Sequence, residues 1–143
     1  MKNQSINSDQ FLFFAWGISL IATAGSLYFS EIVGYIPCEL CWYQRIFMYP
    51  LVIILGVAVV KKDVKQALYS AIFSSIGVVI ALYHYLVQKV PAMSQLDSCG
   101  LVPCTGQYIN WLGFITIPFL SLIAFSLIFI ISFVILVKER NLN

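Results

Sequence analysis

Few residues in this chain have side chains that could carry chemistry, and they fall into a small number of groups. Cys38 and Cys41 form a Cys-x-x-Cys pair within Pro37-Cys38-Glu39-Leu40-Cys41-Trp42-Tyr43-Gln44-Arg45. Cys99 and Cys104 form a second pair, with Gly100-Leu101-Val102-Pro103 between them. Arg45 lies just beyond the first pair, and His84 is the single histidine, set between Tyr83 and Tyr85. Two close thiol pairs can do three things. They can staple loops as structural disulfides, but rings this small restrict the unfolded chain little. They can bind Zn²⁺ or an iron–sulfur cluster as a four-thiolate set, although the Cys-x-x-x-x-Cys spacing departs from the usual zinc pattern. They can also exchange disulfides with each other and with a partner, for which a Cys-x-x-Cys at a helix start is suited. The unpaired N–H groups of a first helical turn stabilise a thiolate there.

The elements that must position these groups follow from composition. Of 143 residues, 61% are hydrophobic and 10% charged, too few charges to coat a water-facing surface. Polar residues gather in short breaks between long apolar runs. Four such runs span residues 11–30, 42–60, 66–87 and 113–137, each near the ~20 residues a helix needs to cross a bilayer. None alternates as a barrel strand would, so helices are the spanning form that satisfies the backbone internally. The fold predicted is all-α: a four-helix transmembrane bundle forming one membrane domain over residues 1–143. Its outer loops are residues 31–41 and 88–112. Lys2 and Ala22-Thr23-Ala24 superficially resemble a signal peptide, but the apolar run continues through Phe29, so the first span is expected to be an uncleaved anchor. The net charge of +2, with no dense basic cluster, argues against a nucleic-acid partner.

Orientation follows from the basic residues. Lys2, Lys61, Lys62, Lys65, Lys138 and Arg140 fall on one side of a four-span chain, and only Arg45 and Lys89 on the other. Both termini are therefore expected in the cytoplasm, with all four cysteines in outer loops where disulfides persist. Tyr35, Trp42, Tyr43, Tyr83, Tyr85, Tyr108 and Trp111 border those loops as an interfacial aromatic belt would. With a helix starting near Cys41, Arg45 lies one turn deeper on the same face. There it can stabilise a Cys41 thiolate or another anion at the membrane edge; the plainer reading is a snorkelling arginine. His84 reads either as a polar residue of the aromatic belt or as a hydrogen-bond donor to the acceptor that Arg45 approaches. Pro118 either kinks the fourth span or marks its first turn.

These residues carry a resemblance. The Cys38–Arg45 motif, running on to Met48-Tyr49-Pro50, resembles the first-loop motif of the bacterial disulfide bond formation protein B family, in its short BdbC-type branch. Tyr83-His84-Tyr85, Cys99…Cys104 and Trp111-Leu112-Gly113-Phe114 followed by Pro118 extend the likeness over all four spans and both outer loops. The resemblance implies a multi-pass protein of the bacterial plasma membrane, a thiol:quinone oxidoreductase using menaquinone or ubiquinone and no metal. It also implies a partner, an extracytoplasmic thioredoxin-like thiol oxidase that the protein reoxidises. A partner thiolate would attack Cys99 of a Cys99–Cys104 disulfide. Cys104 would then attack Cys38 of a Cys38–Cys41 disulfide, leaving Cys41 as the thiolate facing the quinone. Arg45 and His84 would bind the quinone oxygens. A quinone also answers the question of driving force, since a strong thiol oxidant sits near about −120 mV and needs a sink beyond other thiols. One departure stands out: longer members separate the second cysteine pair by a couple of dozen residues. The short Gly100–Pro103 turn here predicts a loop that moves toward Cys38 as a unit. The competing reading is a non-enzymatic membrane protein whose outer loops are held by structural disulfides or a four-cysteine metal site.

Overall fold

In hydrocarbon a chain must close its own backbone hydrogen bonds, and the long apolar runs do so as helices. The computed structural model describes residues 2–94, 101–106, 109–110 and 112–141. Its helices are α1 (Lys2–Leu27, continued by a π-helical turn, Tyr28–Ile32), α2 (Glu39–Lys61), α3 (Gln66–Lys89), the short α4 (Pro91–Ser94) and α5 (Ile117–Arg140). The described residues contain no strand element. Ser8–Ile32, α2, α3 and α5 are each long and apolar enough to cross a membrane. Their outward faces carry Ile21, Ile53, Val60, Val79 and Ile130, all more than half exposed, as a lipid-facing surface requires.

The boundaries differ from those expected in ways that matter for the site. α2 begins at Glu39 rather than near Trp42, directly after Pro37 and Cys38. A proline cannot donate a backbone hydrogen bond, and an acidic first-turn residue suits the positive end of the helix dipole. α5 begins at Ile117 rather than Gly113. Leu112 and Gly113 both hold positive φ, 54° and 80°, and Thr116 is extended, so the chain cannot enter the helix earlier. Pro118 sits inside the first turn of α5, where its missing N–H has no intrahelical role; this is the first-turn alternative rather than a kink. Near the first cysteine pair, the π-helical turn and Gly34 (φ 80°) bring the chain back toward Pro37. Phe29 stacks on Tyr35 across that bend, with ring centres 6.0 Å apart.

The bundle is held chiefly by α3 against α5. The buried stripe of α3 is made of small residues: Ala67, Ser70, Ala71, Ser74, Gly77 and Ala81, continuing to His84 and Val87. Small side chains let helix backbones approach where lipid supplies no hydrophobic drive between them. Ser70 meets Ser132 of α5 in a buried 2.8 Å hydrogen bond. Phe125, fully buried, lies over Gly77 in the space a Cβ would fill. α5 touches α2 little, and that separation leaves room between them. At the opposite end of the bundle from Cys38, Lys62 reaches Asp9 at 3.8 Å, which puts the α2–α3 turn beside the start of α1.

The Gly77–Phe125 contact is testable. Gly77→Leu should lower thermal stability in detergent by an amount equivalent to about 1–3 kcal/mol, the usual penalty for overpacking. Gly17→Ala, with open space around its Cβ position, should leave stability within a few tenths of a kcal/mol or slightly raised. Equal effects at both positions would contradict this packing.

Candidate redox site

Because α2 starts at Glu39, Cys38 occupies its N-cap with extended backbone (φ −73°, ψ 173°), and Cys41 falls within the first turn. The helix terminus thus lies at Cys38, one turn earlier than a start near Cys41 would put it. Their sulfurs are both free thiols and lie 3.2 Å apart. That is hydrogen-bond distance for sulfur, and a short movement from the ~2.05 Å of a disulfide bond. Cys38 is buried. The hydrogen bond from the Cys41 thiol pulls its pKa down from an ordinary value near 9 to about 4, with further help from His84 and against the opposing effect of burial.

The two cysteines differ in the space they reach. Cys41 lines a cavity of about 420 Å³ enclosed by α1, α2 and α5, together with Gln44, Arg45, Met48, Ser121 and Phe125. Cys38 does not line that cavity; with Cys41, His84 and Thr116 it borders a small gap of about 20 Å³. On that side it packs with Val87 and Cys104. The ligating atoms of Cys38, His84 and Cys104 all lie within 4.8 Å of one another. Cys104 is disulfide-bonded. Cys99 lies outside the described residues, as do Tyr108 and Trp111.

Arg45 is where the sequence placed it, one turn beyond Cys41, and its guanidinium is held by protein partners. Its Nε donates to Ser26 Oγ at 3.0 Å and its Nη2 to the Ser26 carbonyl at 3.1 Å, joining α2 to α1. The guanidinium also lies 5.4 Å from the ring centre of Trp42, whose own ring is half exposed like that of Tyr43. Two of the five guanidinium donors serve Ser26, and Arg45 still lines the large cavity.

His84 is not a belt residue: it is 1% exposed. The small-residue stripe of α3 turns it into the bundle, while Tyr83 stays 39% exposed on the outer face. Nor does the structure bring His84 to the cavity that Arg45 lines. Its Nε2 lies 3.6 Å from Cys38 Sγ, and its Nδ1 3.0 Å from Gln44 Nε2. Gln44 is itself buried and accepts a 2.7 Å hydrogen bond at Oε1 from Ser121. Sequence reasoning passed over Gln44, Ser121 and Ser26. An amide three residues after Cys41 in an otherwise apolar run was a signal for the first, whereas isolated serines in spanning helices are too common to mark the other two.

A near-contact thiol pair at the mouth of a membrane-spanning bundle, with a disulfide-bonded cysteine against it, defines a multi-pass membrane thiol oxidoreductase. The chain belongs to the disulfide bond formation protein DsbB family, whose model matches residues 8–135. It is 63% identical over 126 residues to a probable disulfide formation protein C 1 of Bacillus anthracis, covering 87% of this chain and 91% of that protein. It is 57% identical over 131 residues to the disulfide bond formation protein C of Bacillus subtilis (strain 168), covering 91% and 92%. To the SPbeta prophage-derived disulfide bond formation protein B of the same strain it is 42% identical over 126 residues, covering 88% and 85%. No solved structure matches the chain.

The electrostatics of Cys38 predict a pH profile. A thiol pulled down to about 4 stays ionised through neutral pH, and the stability this gives the reduced fold is lost as pH falls through that value. The ultraviolet thiolate absorbance of the reduced protein, corrected with Cys38→Ser, should therefore persist down to about pH 5 and fall near pH 4. Cys41→Ala should move the transition upward more than His84→Ala does, following the order of the two hydrogen bonds. A wild-type transition near pH 9 would contradict the assignment.

Proposed function

We propose that this protein is a quinone-dependent thiol oxidoreductase that reoxidises an extracytoplasmic thioredoxin-like thiol oxidase, and so sustains disulfide formation in exported proteins. The observation that carries the reading is the division of the first cysteine pair. Cys38 faces Cys104, while Cys41 faces a large, mostly apolar cavity together with Arg45. The cavity suits a quinone: apolar walls for the ring, and the Arg45 guanidinium for its oxygens. A bound quinone supplies a two-electron, two-proton sink, menaquinone or ubiquinone being the candidates.

The chain's own residues then act in sequence. A partner thiolate attacks Cys99 of a Cys99–Cys104 disulfide, releasing Cys104 as a thiolate. Cys104, already close to Cys38, attacks Cys38 of an oxidised Cys38–Cys41 pair and displaces Cys41 as a thiolate into the cavity mouth. The partner's second thiol resolves its mixed disulfide at Cys99, and Cys99 displaces Cys38 from Cys104, restoring the Cys99–Cys104 bond. Cys38 and Cys41 are left reduced. Re-forming their disulfide gives up two electrons and two protons. Arg45 steadies the negative charge that develops at the acceptor's oxygen, as a pre-placed donor does. His84 serves Cys38, to which its ring is turned, rather than the acceptor. The same reading places the cysteine loops outside the plasma membrane and both termini inside.

The test mixes purified protein with a short-chain quinone and a reduced thioredoxin-like oxidase while following quinone absorbance. Wild type should reduce quinone and Cys41→Ser should not. Arg45→Ala should slow quinone reduction by about 10²-fold, the scale of losing one oxyanion donor, while disulfide exchange with the partner proceeds normally. No quinone reduction by wild type, or equal reduction by Cys41→Ser, would refute the proposal.

A further inference from the structure

Four polar side chains from three helices and a helix cap form one continuous hydrogen-bonded row across the bundle. The Ser121 hydroxyl of α5 lies 2.7 Å from Gln44 Oε1 and 2.9 Å from the Pro118 carbonyl, and the shorter contact takes its one proton. The Gln44 amide nitrogen faces His84 Nδ1 at 3.0 Å, and His84 Nε2 faces Cys38 Sγ at 3.6 Å. Gln44 and His84 are both buried, so each lost partner would leave a desolvated polar group. The direction of the row is set at its far end. With the Ser121 proton on Oε1, Gln44 presents N–H to the imidazole, and Nδ1 must accept. A neutral imidazole that accepts at Nδ1 carries its proton on Nε2, the atom turned to Cys38.

We propose that Gln44 and Ser121 are positioning residues that lock His84 in its Nε2–H tautomer, so that the imidazole donates a hydrogen bond to the Cys38 sulfur. The inference rests on the redox role proposed above and assigns residues within it. Among the described residues, the small gap beside the ring is lined by Cys38, Cys41, Gln88, Thr116 and apolar neighbours, with no carboxylate among them. An amide therefore does here what a carboxylate does behind a catalytic histidine: it fixes which ring nitrogen holds the proton. The consequence falls on two steps. When Cys38 is displaced from Cys104, the Nε2–H group stabilises the leaving thiolate. When Cys38 closes onto Cys41, it attacks as a sulfur already deprotonated. The reaction closing the pair balances as two thiols and one quinone giving one disulfide and one quinol. His84 ends the cycle as it began, having donated a hydrogen bond without losing its proton. Gln44 and Ser121 also line the large cavity, so the row joins the sulfur on one side of α2 to the space on the other.

The chain contains one histidine, so its imidazole nitrogens can be read without assignment. Full-length reduced protein, labelled with ¹⁵N-histidine and studied by NMR without quinone or partner, should show a protonated Nε2 and an unprotonated Nδ1. Gln44→Met should abolish this preference, giving averaged signals, and should lower quinone-dependent turnover by roughly tenfold, the scale of one hydrogen bond to a charged group. Gln44→Glu should invert the lock: a carboxylate only accepts, so Nδ1 must carry a proton. Ser121→Ala should weaken the preference in the same direction as Gln44→Met. An Nδ1–H tautomer in the wild type, identical histidine spectra in all variants, or full turnover by a Gln44→Met protein that has lost the lock would each overturn the proposal. Because the spectra need neither quinone nor partner, they stand or fall separately from the quinone-reduction assay.

Discussion

The site depends on the phase of one helix start. Cys38 caps α2 in extended conformation and Cys41 lies in its first turn, so two sulfurs 3.2 Å apart share the small gap beside His84 while only Cys41 also reaches the large cavity. Here one sulfur meets Cys104 and His84 within 4.8 Å, and the other opens onto the cavity with Arg45. Electrons delivered to one side can leave from the other because the disulfide itself crosses the boundary. The helix terminus and the neighbouring thiol also favour Cys38 as a thiolate, which makes it a good leaving group when it is displaced from a mixed disulfide.

The remaining helices serve that division. The small-residue stripe of α3 lets α5 approach closely enough for Phe125 to cover Gly77, and the same rotation of α3 carries His84 inward to Cys38. Drawn toward α3 and α1, α5 stays away from α2, leaving the space that Cys41 and Arg45 line. Arg45 is anchored on Ser26 of α1, so the cavity's cationic group is held by the helix forming its opposite wall. Packing and chemistry are therefore coupled: what holds the bundle together also decides which face of α2 each cysteine sees.

Much of this was legible in the sequence. Four uncharged or nearly uncharged runs leave little choice but a helical bundle, and the Cys41–Arg45 spacing placed the guanidinium one turn along α2. The helix ends were less legible, because they turn on backbone conformations, such as the positive φ of Leu112 and Gly113, that hydropathy does not register. His84 was misread as facing either the interface or Arg45's acceptor. Its flanking tyrosines suggested a belt, whereas the rotation of α3 is set several turns away by Ser70, Ser74 and Gly77. Gln44 was overlooked for a related reason: its importance lies in contacts to residues 40 and 77 positions away, which no local pattern displays.

The central claim is that Cys38, rather than Cys41, is the sulfur that exchanges with the second cysteine pair. It is tested most directly by forcing single pairings under mild oxidation and identifying the disulfides by mass spectrometry. With Cys41 and Cys99 replaced by alanine, Cys38 and Cys104 should link rapidly and nearly completely. With Cys38 and Cys99 replaced instead, Cys41 and Cys104 should remain largely unlinked. Equal cross-linking in the two variants would contradict the account.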